Sequence, residues 1–432
     1  MKIPSTGLKN LCRVVLMFAF LSPLGLQAAD TTSAIRGKLV DSGAAVANAT
    51  VTIRDTRTGA TRQYTTNEQG NFYAARLPVG GPYTITTSTG QEVTVPSIAL
   101  GDIYSLTIDK SVPEMEEVIA YGNASGFADV AAGPSANFSN YDLETAVALN
   151  RDIVEVYTID PRINLDQDGS SINCAGKHPR FNSVTLDGVS YNDRFGLNDN
   201  GYATATGQPF PYDAIEQVSV ELAPFDVTYG GFSACNINAV TKSGTNEWHG
   251  NVFYEYTSND YRGETIDGQP DVSPPDYTED KWGFTVGGPL IQDTLFIFGA
   301  YEKSDEPEFI GQGFAGSGNG IERPWLSQTD FDRINNIAQN VYNYNTGGSA
   351  PDGKQENEKY MVRLDWAIND DHRASFVYNY FDGFEDRASD SDANEFEFSN
   401  HYYTKGAESE TYTLKLNSQW TDAFSTEVYW SN

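Results

Sequence analysis

From Trp248 onward the chain repeats one pattern, short segments in which apolar and polar side chains alternate with period two. Trp282, Phe284, Val286 and Leu290 fall on one face, with Lys281, Thr285 and small glycines on the other. Tyr360, Val362, Leu364, Trp366 and Ile368 alternate with Met361, Arg363, Asp365 and Ala367. Tyr412, Leu414, Leu416 and Trp420 alternate with Thr411, Thr413, Lys415, Asn417 and Gln419. With residues 248–256, 294–301, 373–381 and 425–430 this makes seven expected strands of about ten residues each, because successive side chains on a strand point to opposite faces. A soluble sandwich alternates in the same way. Two features favour a transmembrane barrel instead: Trp and Tyr cap the apolar face at strand ends, and the connections are unequal. Gln292-Asp293, Asn369-Asp370-Asp371 and Asp422-Ala423 are tight turns, whereas 257–280, 303–358 and 383–409 are long, polar and acidic. The fold class expected is therefore mainly β.

Charge narrows the partners. The chain has 59 Asp and Glu against 28 Lys and Arg, a formal charge of -31, so it cannot hold a phosphate backbone by counterion release, and nucleic acid is excluded as a partner. Residues 1–29 read as a secretory signal, with Lys2, Lys9 and Arg13 before an apolar run from Val14 to Leu21 and a small-residue cleavage site at Ala28-Ala29. Beyond it no window offers the apolar length of a spanning helix. Export leaves Cys174 and Cys235 in an oxidising compartment, where they are either a disulfide or two buried free thiols. The histidines are scattered and no metal set, cofactor site or nucleophile elbow stands out, so no enzyme is expected. Asp166-Gln167-Asp168-Gly169 lacks the later ligands of a calcium loop and reads as a turn.

Residues 30–112 carry about seven short β-rich runs between turn signals, the signature of a small sandwich. The ordered pieces Gly37-Lys38-Leu39-Val40-Asp41, Ala49-Thr50-Val51, Thr58-Gly59, Thr66-Asn67-Glu68-Gln69-Gly70-Asn71-Phe72 and Leu77-Pro78-Val79-Gly80 resemble the carboxypeptidase regulatory-like domain. That resemblance implies a non-catalytic, immunoglobulin-like or transthyretin-like module. A linker, 113–126, follows. Within it Glu116, Glu117, Val118, Ile119, Ala120 and Tyr121 form an acidic-then-β-branched extended segment, able to add a strand to a partner's sheet. The segment is similar to the TonB box.

Residues 127–246 hold Asp160-Pro161-Arg162, then Asp187-Gly188 and Asn192-Asp193-Arg194, then Tyr229-Gly230-Gly231. With the stretches around them these resemble the plug domain of TonB-dependent outer-membrane receptors, nearest the Oar-like subgroup, which carries the same N-terminal module. Here Ala223-Pro224-Phe225 replaces the longer arginine-glycine-proline stretch of the usual plug, which weakens transfer of residue roles from siderophore receptors. By itself the region reads as a small α/β unit, with strands at 184–186 and 218–222 and a short helix at 143–149. A second helix, 330–342, is expected inside a long loop behind Ser327 and Thr329, packed on that loop.

The resemblance implies residence in the outer membrane of a Gram-negative cell, with the sandwich in the periplasm. It implies three partners: TonB, outer-membrane lipid and an unknown extracellular substrate. Carbohydrate binding is carried as a further expectation. Seven strands from 247–432 cannot enclose a plug, since plugged barrels use about 22 strands; the chain is expected to be the N-terminal part of a longer protein. Energy-coupled uptake is the leading function, and an Oar-like structural or adhesive role without uptake is the alternative.

Overall fold

A computed structural model describes residues 31–111, 135–146, 148, 151–165, 172–193, 195, 198, 201–204, 206–222, 230–261, 277–388, 394–421 and 424–432. The signal at 1–29, the segment from Glu116 to Tyr121, the turn at 166–169, Arg194, Tyr229 and the turn at 422–423 lie outside these residues.

The first unit is a β-sandwich. One sheet pairs β1 (Ser33–Asp41) with β2 (Ala44–Ala45) and β5 (Asn71–Leu77), and in parallel with β8 (Ile103–Asp109). The other runs β4 (Thr61–Thr65), β3 (Thr50–Asp55), β6 (Tyr83–Thr87), β7 (Glu92–Val95). Alternation turns Ile35, Leu39, Val51, Ile53, Ile85 and Val95 inward, and they form one apolar core. Opposite Ala34, β5 carries a bulge: Leu77 pairs with Ser33 and Ala74 with Ile35, so Ala75 and Arg76 are the two inserted against one.

The second unit is a five-stranded sheet ordered β13 (Val189–Ser190), β12 (Ser183–Leu186), β15 (Cys235–Thr241), β14 (Ile215–Leu222), β9 (Ser135–Phe138). A small hairpin, β10 (Ile163–Leu165) with β11 (Ile172–Cys174), stands beside it. Helix α1 (Asn140–Thr145) starts earlier and stops sooner than the sequence reading of 143–149. Ser139 and Asp142 form a reciprocal capping box that fixes its start, and Ala146 is already extended. Helix α2 (Ile153–Tyr157) was not foreseen; Asp152 caps it, and four of its five residues are buried. All seven residues of β15 are buried, so it is covered on both faces.

The third unit is a seven-stranded antiparallel sheet in strict chain order: β16 (His249–Ser258), β17 (Thr278–Ile291), β18 (Leu295–Phe309), β21 (Gly353–Ala367), β22 (His372–Arg387), β23 (Tyr403–Thr421), β24 (Phe424–Ser431). Five of these have 14 to 19 residues, not about ten. The apolar alternation ends where Asp305, Glu306, Glu356, Glu385 and Asp386 begin, but the backbone ladder continues through them. Main-chain pairing needs no apolar face, so stretches that read as acidic loop are in fact hydrated ribbon. The loop between β18 and β21 holds β19 (Gln312–Phe314), β20 (Ile321–Arg323) and helix α3 (Gln328–Tyr342). Ser327 caps α3, and Phe331 packs on Phe314, Phe396 and Phe398.

Burial in this sheet is inverted. Val252, Trp282, Phe284, Val286, Leu414 and Trp430 are exposed, while Lys281, Glu302, Lys359 and Asn379 are buried. Such a face needs lipid outside it. Aromatic rings mark its upper rim: Trp282 lies 4.9 Å from Tyr301, Tyr360 4.6 Å from Tyr380 and Tyr378 4.9 Å from Tyr412. Tyr301, Tyr380 and Tyr412 donate their hydroxyls to Glu358, Glu408 and Glu410. A phenol ring on the apolar side with its oxygen bound to a carboxylate is an interfacial arrangement. No helix among the described residues is long and apolar enough to cross a membrane, which says nothing of strands.

Candidate functional site

The inner face of the strands is occupied by the α/β unit; the seam between them is largely ionic, around a small apolar cluster of Ala214 with Phe298, Ala300, Met361 and Val377. Arg151 pairs with Asp213 at 2.7 Å, with Glu255 of β16 at 3.3 Å and with Glu302 of β18 at 3.9 Å. Its guanidinium also lies over Phe253, 3.5 Å from the ring centroid. Glu302 in turn accepts from Lys359 of β21 at 3.1 Å and from the backbone N–H of Tyr212 at 3.0 Å. Asn379 of β22 donates to the carbonyl of Pro209 at 2.9 Å and to the Tyr191 hydroxyl at 3.3 Å. Burial pushes the phenols of Tyr191 and Tyr212 up to about 12, so both stay neutral. None of these seam residues was singled out from sequence. For Glu255, Glu302, Lys359 and Asn379 the signal was polarity at alternate strand positions, which marks a face without naming a partner; Arg151, Pro209, Tyr212 and Asp213 lie off the strands and carried none.

Of the residues expected from the plug-like motifs, Asp187 and Gly188 make the turn between β12 and β13. Both have positive φ, 48° and 86°, the conformation of a tight hairpin turn that glycine adopts freely. The Asp187 carboxylate accepts from the Thr241 hydroxyl at 2.6 Å and amide at 3.1 Å, and it faces Arg363 of β21 at 3.5 Å. Arg363 also donates to the Thr241 carbonyl at 3.1 Å and is held by Asp365. Asp187 therefore joins a turn, a strand end and the surrounding strands.

Asn192 accepts from the Val184 amide at 2.8 Å and donates to the Asn182 carbonyl. Asp193 accepts from the amides of Phe195 and Asn198. Gly231 has a positive φ of 74°. These residues staple loops and turns, and they do not converge on one pocket. Cys174 and Cys235 are joined by a disulfide that ties β11 to β15, their Cα atoms 5.9 Å apart.

At the end of the sheet with the tight turns, the sandwich meets the α/β unit. Gln217 of β14 accepts from the Leu100 amide at 2.9 Å and donates to the Ile98 carbonyl at 3.2 Å. Val79, Leu100 and Val240 close a small apolar patch around this clasp. Arg57 reaches Glu216 at 3.5 Å, and its carbonyl accepts from Asn246 at 2.8 Å. Asp55 holds the Arg57 guanidinium through both carboxylate oxygens, and that charge raises the Arg57 pKa against the lowering effect of burial, the largest single influence.

Comparison with known proteins follows the same division. Residues 34–109 match the carboxypeptidase regulatory-like domain, and residues 240–308 match an outer membrane beta barrel domain. The TonB-dependent transporter Oar of Myxococcus xanthus is 27% identical over 383 residues, covering 81% of this chain and 33% of its own length. A probable TonB-dependent siderophore receptor, PirA of Acinetobacter baumannii, is 31% identical over 141 residues, 31% of this chain and 17% of its own. Among solved structures, the outer membrane transporter YddB of Escherichia coli aligns over 69% of this chain and 38% of its own, at 14% identity and a TM-score of 0.49. The chain thus spans about a third of the length of the first of these curated relatives.

Proposed function

We propose, for an outer-membrane chain that joins a carboxypeptidase regulatory-like domain to β-barrel strands and is related to the TonB-dependent transporter Oar, that it serves in an energy-coupled transporter. The substrate enters from outside and binds over residues 127–246, the plug. TonB pairs with the segment Glu116-Glu117-Val118-Ile119-Ala120-Tyr121 on the periplasmic side, and the pull rearranges the plug. The chain's role is carriage, with no chemical step on the substrate.

One observation carries this reading: the plug is held mainly by charge pairs and amide contacts, with a single small apolar cluster, Ala214 against Phe298, Ala300, Met361 and Val377, shared with the strands. Its own core is apolar, from Val154 and Tyr157 to Val218 and Ile237, so it stays folded as a unit. At the seam, Arg151, Asp213, Glu302 and Lys359 can exchange partners with water as they separate. An apolar seam would resist that motion by the full cost of exposing it.

Deleting 116–122 in the natural protein tests the reading. Uptake should be lost while membrane insertion stays normal. Normal uptake after the deletion would overturn it and favour the structural or adhesive alternative. Carbohydrates are one class to include in the ligand screen that identifies the substrate.

A further inference from the structure

Where the sandwich, the plug and the strands meet at the tight-turn end, they enclose a cavity of about 140 Å³. Most of the charge around it is matched. Arg57 is taken by Asp55 and Glu216, Arg363 by Asp365 and Asp187, and Lys415 by Glu427. Three further guanidiniums line the same cavity: Arg62 of β4, Arg76 of β5 and Arg373 of β22. Among the described residues no carboxylate lies within ion-pair distance of any of the three. Arg62 is 8% exposed and, among the described residues, donates to the carbonyls of Asp370 and Ala75 alone. Arg76 Nη1 and Arg373 Nε are buried with no hydrogen-bond partner.

The backbone adds an independent observation. Arg76 sits in the β5 bulge with a φ of 58°, a left-handed conformation that a non-glycine side chain adopts at a cost. Bulges re-aim side chains, and this one sets Arg76 among the lining residues of the cavity. A chain of charge -31 has carboxylates in excess, yet among the described residues none pairs with these three arginines lining one cavity.

We propose that this junction binds a small oxyanion, a phosphate or carboxylate group, held by the Arg62, Arg76 and Arg373 guanidiniums. Guanidinium forks match such oxygens in pairs, and a shared anion removes the repulsion among one buried and two half-buried cations. Because Arg62 and Arg76 belong to the sandwich and Arg373 to a barrel strand, the bound anion also fastens the sandwich to the base of the sheet. Docking of the sandwich is thereby made dependent on the anion.

The test uses the natural full-length protein, purified in lipid-free detergent and chloride buffer, titrated with inorganic phosphate and followed by calorimetry and thermal unfolding. Saturable binding is expected, at least tenfold weaker in the Arg76→Gln/Arg373→Gln double variant and unchanged in Arg54→Gln, an exposed control on the same sandwich. In chloride alone the double variant should melt higher than the parent, since neutralising unpaired cations relieves repulsion; a purely structural role for these arginines would make it melt lower. Short-chain phosphatidylglycerol displacing the bound phosphate would make a lipid headgroup the source, and failure to displace it would make the free ion the source; either supports the site. Absence of saturable binding, equal binding in the double variant, or a carboxylate of the protein found against the three arginines would overturn it.

Discussion

The sandwich and the seven-stranded sheet are built from the same period-two alternation, and they bury opposite halves of it. In the sandwich Ile53 and Ile85 are at most 2% exposed, and the polar residues between them face water. In the sheet Val252 is 82% exposed and Phe284 41%, while Lys281, Glu302 and Lys359 are 3%, 5% and 6% exposed. Alternation fixes only that a strand has two faces; the medium on each side decides which face is hidden. The sandwich spends its apolar face on its own core. The sheet turns one apolar face to lipid and offers the plug a mixed face, charged at Glu302 and Lys359 and apolar at Phe298 and Met361, which makes the seam largely ionic.

The largest effect should come from breaking that seam. Glu302→Ala leaves Lys359 and Arg151 buried beside a lost partner, which costs about 3–5 kcal/mol. Hydrogen exchange at the amides of β14 and β15 should accelerate accordingly, while the sandwich keeps its protection. Glu302→Gln, which preserves an acceptor for the Tyr212 amide, should cost less. Unchanged protection of β14 and β15 in the alanine variant would mean that the plug is held by something other than this charge cluster.

Next come paired substitutions that read the two media directly. Ile85→Ala in the sandwich should cost about 2–5 kcal/mol, since the site is enclosed and leaves a cavity. Val362→Ala should cost little, because lipid chains fill the space. Val362→Arg should cost about 2–4 kcal/mol if the residue lies near the middle of the bilayer. Urea unfolding in detergent or bilayer reports both. A large penalty for Val362→Ala would mean that its face packs on protein, and the inversion of burial would fail.

The fold was legible where a residue's neighbours in sequence decide its place. Tight turns at Gln292-Asp293 and Asn369-Asp370-Asp371, the capped helix behind Ser327, and the alternation of Tyr360, Val362 and Leu364 are local signals. Strand length was not legible, because backbone pairing continues through Asp305 and Glu306 after the hydropathy signal stops. The seam was not legible either: Arg151 and Glu302 are 151 residues apart, and each alone is an ordinary charged residue. Arg76 shows the same limit, for only the bulge opposite Ala34 reveals where it is aimed.

The smallest effect separates plug from sheet by pH. Asp160 accepts from the Arg162 guanidinium at 2.8 and 3.0 Å and from its amide at 3.0 Å, and these bonds hold its carboxyl below the usual carboxylate range. A carboxylate with a depressed folded pKa binds fewer protons in the folded state, so the stability it adds is present above the ordinary value near 4 and is lost as pH falls through its folded pKa. Asp160 is buried but the Arg162 side chain is 30% exposed, and water at the guanidinium limits the contribution to about 1 kcal/mol. Lowering the pH below about 4 should therefore destabilise the plug slightly more in the parent than in Asp160→Asn, which should lose that part of the pH dependence. The sandwich should serve as the internal reference, its Ile85 environment being insensitive to the substitution. Identical acid dependence of plug unfolding in parent and Asp160→Asn would show that the Asp160-Pro161-Arg162 turn adds nothing to plug stability through its charge.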